Sequence, residues 1–145
     1  MSLFEAMREG DELPPSSRIV TREDVAAYAD VGGDRNPLHL NDAFARSVGF
    51  DGIIAHGMFT MGHLAQAIMD WAGEGARVER ISVQFRAPVS MGETISAGGS
   101  VAGLDRDRRR ATLDVWVTVG RAGSPEFAIR RGRAEIVFAG NRAGA

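Results

Sequence analysis

The sequence predicts an α+β domain, and two observations carry that prediction. Between Gly57 and Trp71 apolar residues recur at helical spacing over most of the circumference, and from Ile81 onward the period changes to two. Ile81, Val83 and Phe85 alternate with Ser82, Gln84 and Arg86, and Leu113, Val115, Val117 and Val119 alternate with Thr112, Asp114, Trp116 and Thr118. A helix apolar over so wide an arc is largely enclosed by other structure, whereas strict alternation marks half-buried antiparallel strands. One long buried helix followed by an antiparallel meander is an α+β pattern.

The elements follow in order. A short strand is expected near Ser17 to Val20. Thr21 caps a helix over residues 21–31, with Asp24 completing an acidic capping box and Val25, Ala26 and Tyr28 beginning an apolar side. Pro37 has no N–H to donate and pushes Asn36 out of the helical region, so the chain turns there. Asn41 starts a second, short helix from Asp42 to Val48, closed by Gly49, and residues 50–56 form a loop. In the long helix from Gly57 to Trp71, Thr60, His63, Gln66, Asp70 and Glu74 share about a third of the wheel at 3.6 residues per turn. Met58, Met61, Gly62, Leu64, Ala65, Ile68, Met69 and Ala72 fill most of the rest. Thr94 to Leu104 is a strand in which Gly98 and Gly99 predict a bend or bulge. Phe127 to Phe138 is another, with alternation slipping near Gly132 as at a bulge. Turns at 105–107 and 121–125 join these strands as hairpins. Residues 1–139 read as one domain, and the small, polar tail 140–145 as disordered.

Composition narrows the function. The chain has 145 residues, enough for one ordinary domain, with 44% hydrophobic and 25% charged residues. A net charge of -2 gives no reason to expect nucleic acid. All 17 basic residues are Arg, which rules out a Lys Schiff base or a Lys general base, and the absence of Cys rules out disulfides, thiolate metal sites and Cys nucleophiles. The start MSLFEAMREGDEL has no apolar core of a signal peptide, and the longest apolar stretch, 52–69, is interrupted by His56, His63 and Gln66. A cytoplasmic protein without membrane contact is expected. There is no G-x-S-x-G elbow and no Walker loop, and the glycine-rich run 98–103 lies within a strand rather than at a helix entry.

Chemistry concentrates in the stretch Tyr28-Ala29-Asp30-Val31-Gly32-Gly33-Asp34-Arg35-Asn36-Pro37-Leu38-His39. It sets a carboxylate, Asp34, and an imidazole, His39, five residues apart across an Asn-Pro turn, which can aim both at one small volume. An acid and a base on one water molecule is what hydration of a double bond needs. Asp34 is also a good turn residue in its own right, because its side chain can bond nearby backbone N–H groups. Gly57 enters the long helix, so its N–H lacks an intrahelical acceptor and suits an oxygen gaining negative charge. His56 reads as holding that entry loop, with a catalytic role in reserve. His63 lies about 10 Å further along the helix at 1.5 Å per residue, too far to share a metal with His56. No metal is expected, and His63 reads as a satisfied surface or interface residue. Arg86 is either a solvated strand-face residue or a phosphate contact, and the charged tip 105–110 reads as solvated.

Written D-x-N-P-x-H with Tyr28 upstream, the turn resembles the hydratase motif of the MaoC-like family of (R)-specific enoyl-CoA hydratases and 3-hydroxyacyl dehydratases. Ala55-His56-Gly57-Met58 and Phe85-Arg86-Ala87-Pro88-Val89-Ser90-Met91-Gly92-Glu93 resemble two further motifs of that family, in the same order, so the likeness runs over roughly residues 8 to 138. It implies a hot-dog fold, a curved antiparallel sheet wrapped around the long helix. It implies reversible hydration of trans-2-enoyl thioesters to (R)-3-hydroxyacyl thioesters, with Asp34 and His39 as the catalytic pair, Gly57 N–H as the oxyanion donor, Asn36 and His56 in support, and Arg86 near the entry of the thioester carrier. The carrier, coenzyme A or an acyl-carrier protein, is then part of the substrate and no separate cofactor is needed. It also implies a homodimer, with pairing to a different hot-dog chain as the alternative arrangement. Some relatives carry a hydroxyl-bearing residue on the long helix where this chain has Ala65. A hot-dog thioesterase is the competing activity, and the Asn36-Pro37-Leu38-His39 context argues against it.

Overall fold

The computed structural model describes residues 1–121 and 123–140. The polar tail expected to be disordered lies, from residue 141 onward, outside the described residues, as does Ala122 in one of the expected hairpin turns. The elements are α1 (Leu3–Ala6), β1 (Glu12–Ile19), α2 (Arg22–Gly32), a 3-10 turn (Pro37–His39), α3 (Asp42–Ser47), α4 (Gly57–Ala72), β2 (Ala76–Phe85), β3 (Thr94–Asp105), β4 (Arg110–Gly120) and β5 (Glu126–Phe138). The five strands form one antiparallel sheet in the order β1-β3-β4-β5-β2. Its inner face packs on α4, which touches all five strands. This is the hot-dog arrangement.

The core lies between helix and sheet. Leu64, Ile68 and Ala72 of α4 meet Ile95, Ala97 and Val101 of β3, the alternating Leu113, Val115, Val117 and Val119 of β4, and Ile129, Ala134 and Ile136 of β5. Only one stripe of α4 is fully buried, and it begins with Thr60. The wheel assigned Thr60 to a polar face and most of the remaining circumference to enclosure. Instead Thr60 is 3% exposed, while Met58 is 54% exposed and Gly62 also faces outward. A helix laid on one sheet is covered along one side, so a single chain leaves part of the apolar arc open.

α2 is bounded as its sequence dictates. Thr21 Oγ1 accepts from the Asp24 N–H, the Asp24 carboxylate accepts from the Thr21 N–H, and Gly33 closes the helix at φ 76°, a left-handed conformation that glycine takes without strain. β1 is longer than expected, because Pro14 and Pro15 sit at a register shift between Leu13 and Ser16 instead of ending the strand. On an edge strand a missing donor costs little. β2 also starts earlier than Ile81, since a register shift between Val78 and Arg80 hides its alternation. In β3 the irregularity lies between Val101 and Gly103 and not at Gly98-Gly99. Those two glycines serve close approach: a Cβ on Gly98 would lie 2.7 Å from Trp116 Nε1, and one on Gly99 would lie 2.8 Å from the Asp114 carbonyl oxygen. The slip in β5 occurs as expected beside Gly132, with Arg131 at φ 49°. The charged tip between β3 and β4 is not wholly solvated, because Arg106 donates to the Phe4 and Met7 carbonyls and lies over the Phe4 ring. Among the described residues no helix is long and apolar enough to cross a membrane.

Candidate active site

The residues picked from the sequence converge where the 3-10 turn meets the start of α4. Asp34 Oδ1 accepts from the Asn36 N–H at 3.1 Å, and Asn36 Oδ1 accepts from the Leu38 N–H at 3.0 Å. Two successive side-chain-to-backbone bonds thus fold the Asp-x-Asn-Pro segment into its turn. Asn36 supports the turn, as expected. Pro37 begins the 3-10 turn, where its missing N–H leaves nothing unsatisfied.

His39 comes off the end of that turn and is held by the loop before α4. Its Nδ1 lies 2.7 Å from the Ile54 carbonyl oxygen. A carbonyl only accepts, so Nδ1 carries the proton, and Nε2 of the neutral ring is left with a free lone pair. Ile54 is fixed in turn, bridging to Ser90 and donating to the Leu38 carbonyl at 3.3 Å. Beside it the Ile53 N–H donates to Asp42 Oδ1, whose other oxygen pairs with Arg22 at 2.8 Å. The Ile53 N–H first, and Arg22 with it, outweigh desolvation and hold the Asp42 carboxyl below the usual carboxylate range. α2, α3 and the loop are tied together at the point that orients His39.

His56 is the N-cap residue of α4 and is 2% exposed. Its Nε2 donates to the Asp34 carbonyl at 2.9 Å, and its ring stacks on His39 with centroids 3.9 Å apart and planes 28° apart. The Tyr28 ring packs against its other neighbours at 4.9 Å from His56 and 6.0 Å from Phe59. His56 Nδ1 is buried without a hydrogen-bond partner. Asp34, His39 and His56 each offer a ligand atom, and these atoms all lie within 4.8 Å of one another. Such a trio can hold one water, or a metal ion. The sequence argument against a metal weighed His56 only with His63, whereas the partner that lies close is His39. His63 lies elsewhere, its Nε2 donating to the Ser16 carbonyl at 2.8 Å.

Next to the pair is an apolar cavity of about 310 Å3, lined among others by His39, Phe50, Ile54, Gly57, Thr60 and Phe85. Gly57 is the first residue of α4, so its N–H has no acceptor within the helix and sits at the positive end of the dipole. The Phe85 ring covers Gly57 so closely that a Cβ there would lie 3.1 Å from Phe85 Cε1. Thr60, one turn along, brings the only hydroxyl among the cavity-lining side chains. The sequence reading found no hydroxyl at Ala65 and placed Thr60 on a polar face, so it did not anticipate Thr60 in the cavity; the signal was a β-branched polar residue opening the stripe Leu64, Ile68, Ala72. Arg86 lines the same cavity and donates to Gln84 Oε1 at 2.9 Å.

The comparisons agree with this fold. Residues 6–122 match the MaoC-like domain. The chain is 39% identical over 103 residues to the 3-hydroxybutyryl-CoA dehydratase of Methylorubrum extorquens, covering 70% of this chain and 65% of that protein, just under two thirds of its length. It is 31% identical over 117 residues to the (R)-specific enoyl-CoA hydratase of Rhodospirillum rubrum, covering 80% of this chain and 81% of that one. A solved (R)-hydratase from A. caviae involved in PHA biosynthesis superposes with a TM-score of 0.83 at 28% identity, covering 93% of this chain and 99% of the other. A turn carrying Asp34 and His39, packed on the N-terminus of a sheet-wrapped helix in a chain with these relatives, places the protein in the MaoC-like domain family.

Proposed function

We propose that the protein is a hydro-lyase that adds water reversibly across trans-2-enoyl thioesters to give (R)-3-hydroxyacyl thioesters. The observation that carries this reading is the bond from His39 Nδ1 to the Ile54 carbonyl, which leaves Nε2 as a base beside the Asp34 carboxylate at an apolar cavity. A water held between them has one face of the enoyl group in front of it. As its oxygen bonds Cβ, His39 Nε2 takes one of its protons, and the π electrons move toward Cα and the thioester carbonyl. The carbonyl oxygen gathers enolate charge against the Gly57 N–H; losing one such donor typically costs about 2.7–4 kcal/mol. The imidazolium, stabilised by Asp34, returns the proton to Cα. Water is consumed whole, no electrons leave the substrate, and no cofactor takes part. The (R) configuration is taken from the relatives named (R)-specific enoyl-CoA hydratase.

Support for association comes from the open apolar arc of α4 around Met58 and Gly62 and from the unpaired outer edge of β2. A second copy of the chain, or another chain of the same fold, would cover both.

Hydration of crotonyl-CoA in D2O tests the reaction. The expected product is the (R)-3-hydroxyacyl thioester with hydroxyl and deuterium added to the same face. An (S) product contradicts the family reading, anti addition contradicts the shared water, and release of thiol without hydration identifies a thioesterase.

A further inference from the structure

The reactive form of His39 depends on one atom, the Ile54 carbonyl oxygen, and that atom sits on a loop residue whose only ladder contact is a single bridge to Ser90. A carbonyl in a loop turns away readily unless the peptides around it are held. Resting on the hydratase reading, we propose that Asp42 is a positioning residue of the reaction. By gripping the Ile53 N–H it keeps the Ile54 carbonyl on His39 Nδ1, and so keeps Nε2 free to act as the base.

The grip joins two short runs of chain. Leu38, His39 and Asp42, from the 3-10 turn and the first residue of α3, make three bonds to Ile53 and Ile54. The Leu38 carbonyl accepts from the Ile54 N–H at 3.3 Å, His39 Nδ1 donates to the Ile54 carbonyl at 2.7 Å, and Asp42 Oδ1 accepts from the Ile53 N–H at 3.0 Å. The Ala55 N–H is drawn the other way, to the Val89 carbonyl at 2.8 Å. Three successive N–H groups are thus held by three separate acceptors, and the carbonyl of the middle residue is aimed by all of them. Asp42 is the one side chain among those acceptors. Its bond is also the one assisted by charge, which is the stronger kind.

Two further contacts fit the same role. Arg22 of α2 pairs with Asp42 Oδ2 at 2.8 Å, which leaves Oδ1 for the loop. At Gly52 the backbone comes so near that a Cβ would lie 2.9 Å from Asp42 Oδ1. Gly52 has no positive φ, so a side chain there would meet the carboxylate rather than strain the backbone. Asp42 itself does not line the cavity. It acts through two peptides and an imidazole.

The consequence to be read is a tautomer. With the Ile54 carbonyl in place Nδ1 carries the proton. Without it nothing selects that form, and a ring protonated on Nε2 has no lone pair there for the water. The other two of the three histidines, His56 and His63, both donate through Nε2. The wild type should therefore show one ring in the Nδ1–H form, and that ring is His39.

Proton–nitrogen correlation spectra of the histidine rings, taken on the substrate-free chain at about pH 8 where an ordinary histidine is neutral, test this. Asp42→Ala and Gly52→Ala are both expected to turn the His39 ring into a mixture of tautomers. Asp42→Asn, whose amide oxygen still accepts from the Ile53 N–H, is expected to keep it in the Nδ1–H form. In hydration of crotonyl-CoA the two Ala variants should lower kcat at least about tenfold with KM changed less than about twofold, and Asp42→Asn should recover most of the loss. The two Ala variants attack the contact from opposite sides, so either serves where melting curves show that the other does not fold. A pure Nδ1–H ring in the folded Ala variants, wild-type kcat in them, or an equal loss in Asp42→Asn would overturn the proposal. A wild-type chain that hydrates no enoyl thioester would end the hydratase reading, while the tautomers would still decide whether Asp42 positions His39.

Discussion

The imidazole rings of His39 and His56 lie against each other at 3.9 Å, although they leave the chain from different elements. One comes from the end of the 3-10 turn, the other from the cap of α4. The stack fixes the plane of the His39 ring, and the Ile54 carbonyl fixes its rotation, so Nε2 can point in one direction only. His56 adds a second constraint through its bond to the Asp34 carbonyl. His56→Phe keeps a ring for stacking but loses that bond, and His56→Ala loses both. The Phe variant is expected to hold most of the stability and the Ala variant to lose more, as stacked pairs contribute about 0.5–1.5 kcal/mol beyond burial. Both should lower kcat more than they raise KM. A His56→Phe enzyme with wild-type kcat would show that the Asp34 backbone bond does not position the pair.

Asp34→Asn and His39→Asn keep the local hydrogen bonds. At position 34 the amide oxygen can still accept from the Asn36 N–H, and at position 39 the amide nitrogen takes the place of Nδ1 and can still donate to the Ile54 carbonyl. Each is expected to fold normally and to lose at least about 100-fold in hydration rate, the low end for acid–base catalysis. Near-normal kcat in either variant removes that residue from the pair.

Thr60→Val removes one hydroxyl and preserves shape at a buried position. Stability should hold or rise slightly, since the stripe on α4 becomes uniformly apolar. If the hydroxyl touches the bound thioester, kcat/KM falls about fivefold, the value of one ordinary hydrogen bond. Steady-state kinetics alongside a thermal melt checks both halves, and unchanged kinetics would assign Thr60 to packing alone.

Glu93 makes a pH prediction. Desolvation opposes its ionisation, but hydrogen bonds from Arg121 and from the Ser90 N–H, with the Arg121 charge, outweigh it and hold the carboxyl below the usual range. A depressed pKa contributes stability above the unfolded carboxylate value, about 4.3, and loses it as pH falls through the folded value. Glu93→Gln should therefore melt below the wild type at neutral pH, with the gap closing as pH drops below about 4. A gap independent of pH would mean that the contribution is packing rather than charge.

What the sequence disclosed and what it hid follow from range. The capping box at Thr21 and Asp24, the helix of α4 and the slip beside Gly132 are local signals, and they appear where expected. α1 was overlooked although Ser2 and Glu5 form a full capping box, because four residues give no periodicity to read. β1 was expected only near Ser17 to Val20 and in fact begins at Glu12, because the two prolines that argue against a strand inside a sheet are tolerated at its edge. Gly98 and Gly99 looked like a bend because a sequence does not show which neighbour crosses them. Asp34, His39 and Gly57 could be named in advance. Their assembly could not, since it depends on the Ile54 carbonyl and on the stacking of His56, contacts made only when the loop closes.

The prolines of β1 have one more consequence. Pro14 and Pro15 offer no N–H, and the Ser16 carbonyl is already taken by His63. The β1 margin thus offers an incoming strand fewer donors than β2, which holds the opposite margin of the sheet. The two edges are unequal templates, and strand addition, were it to occur, would favour the β2 side.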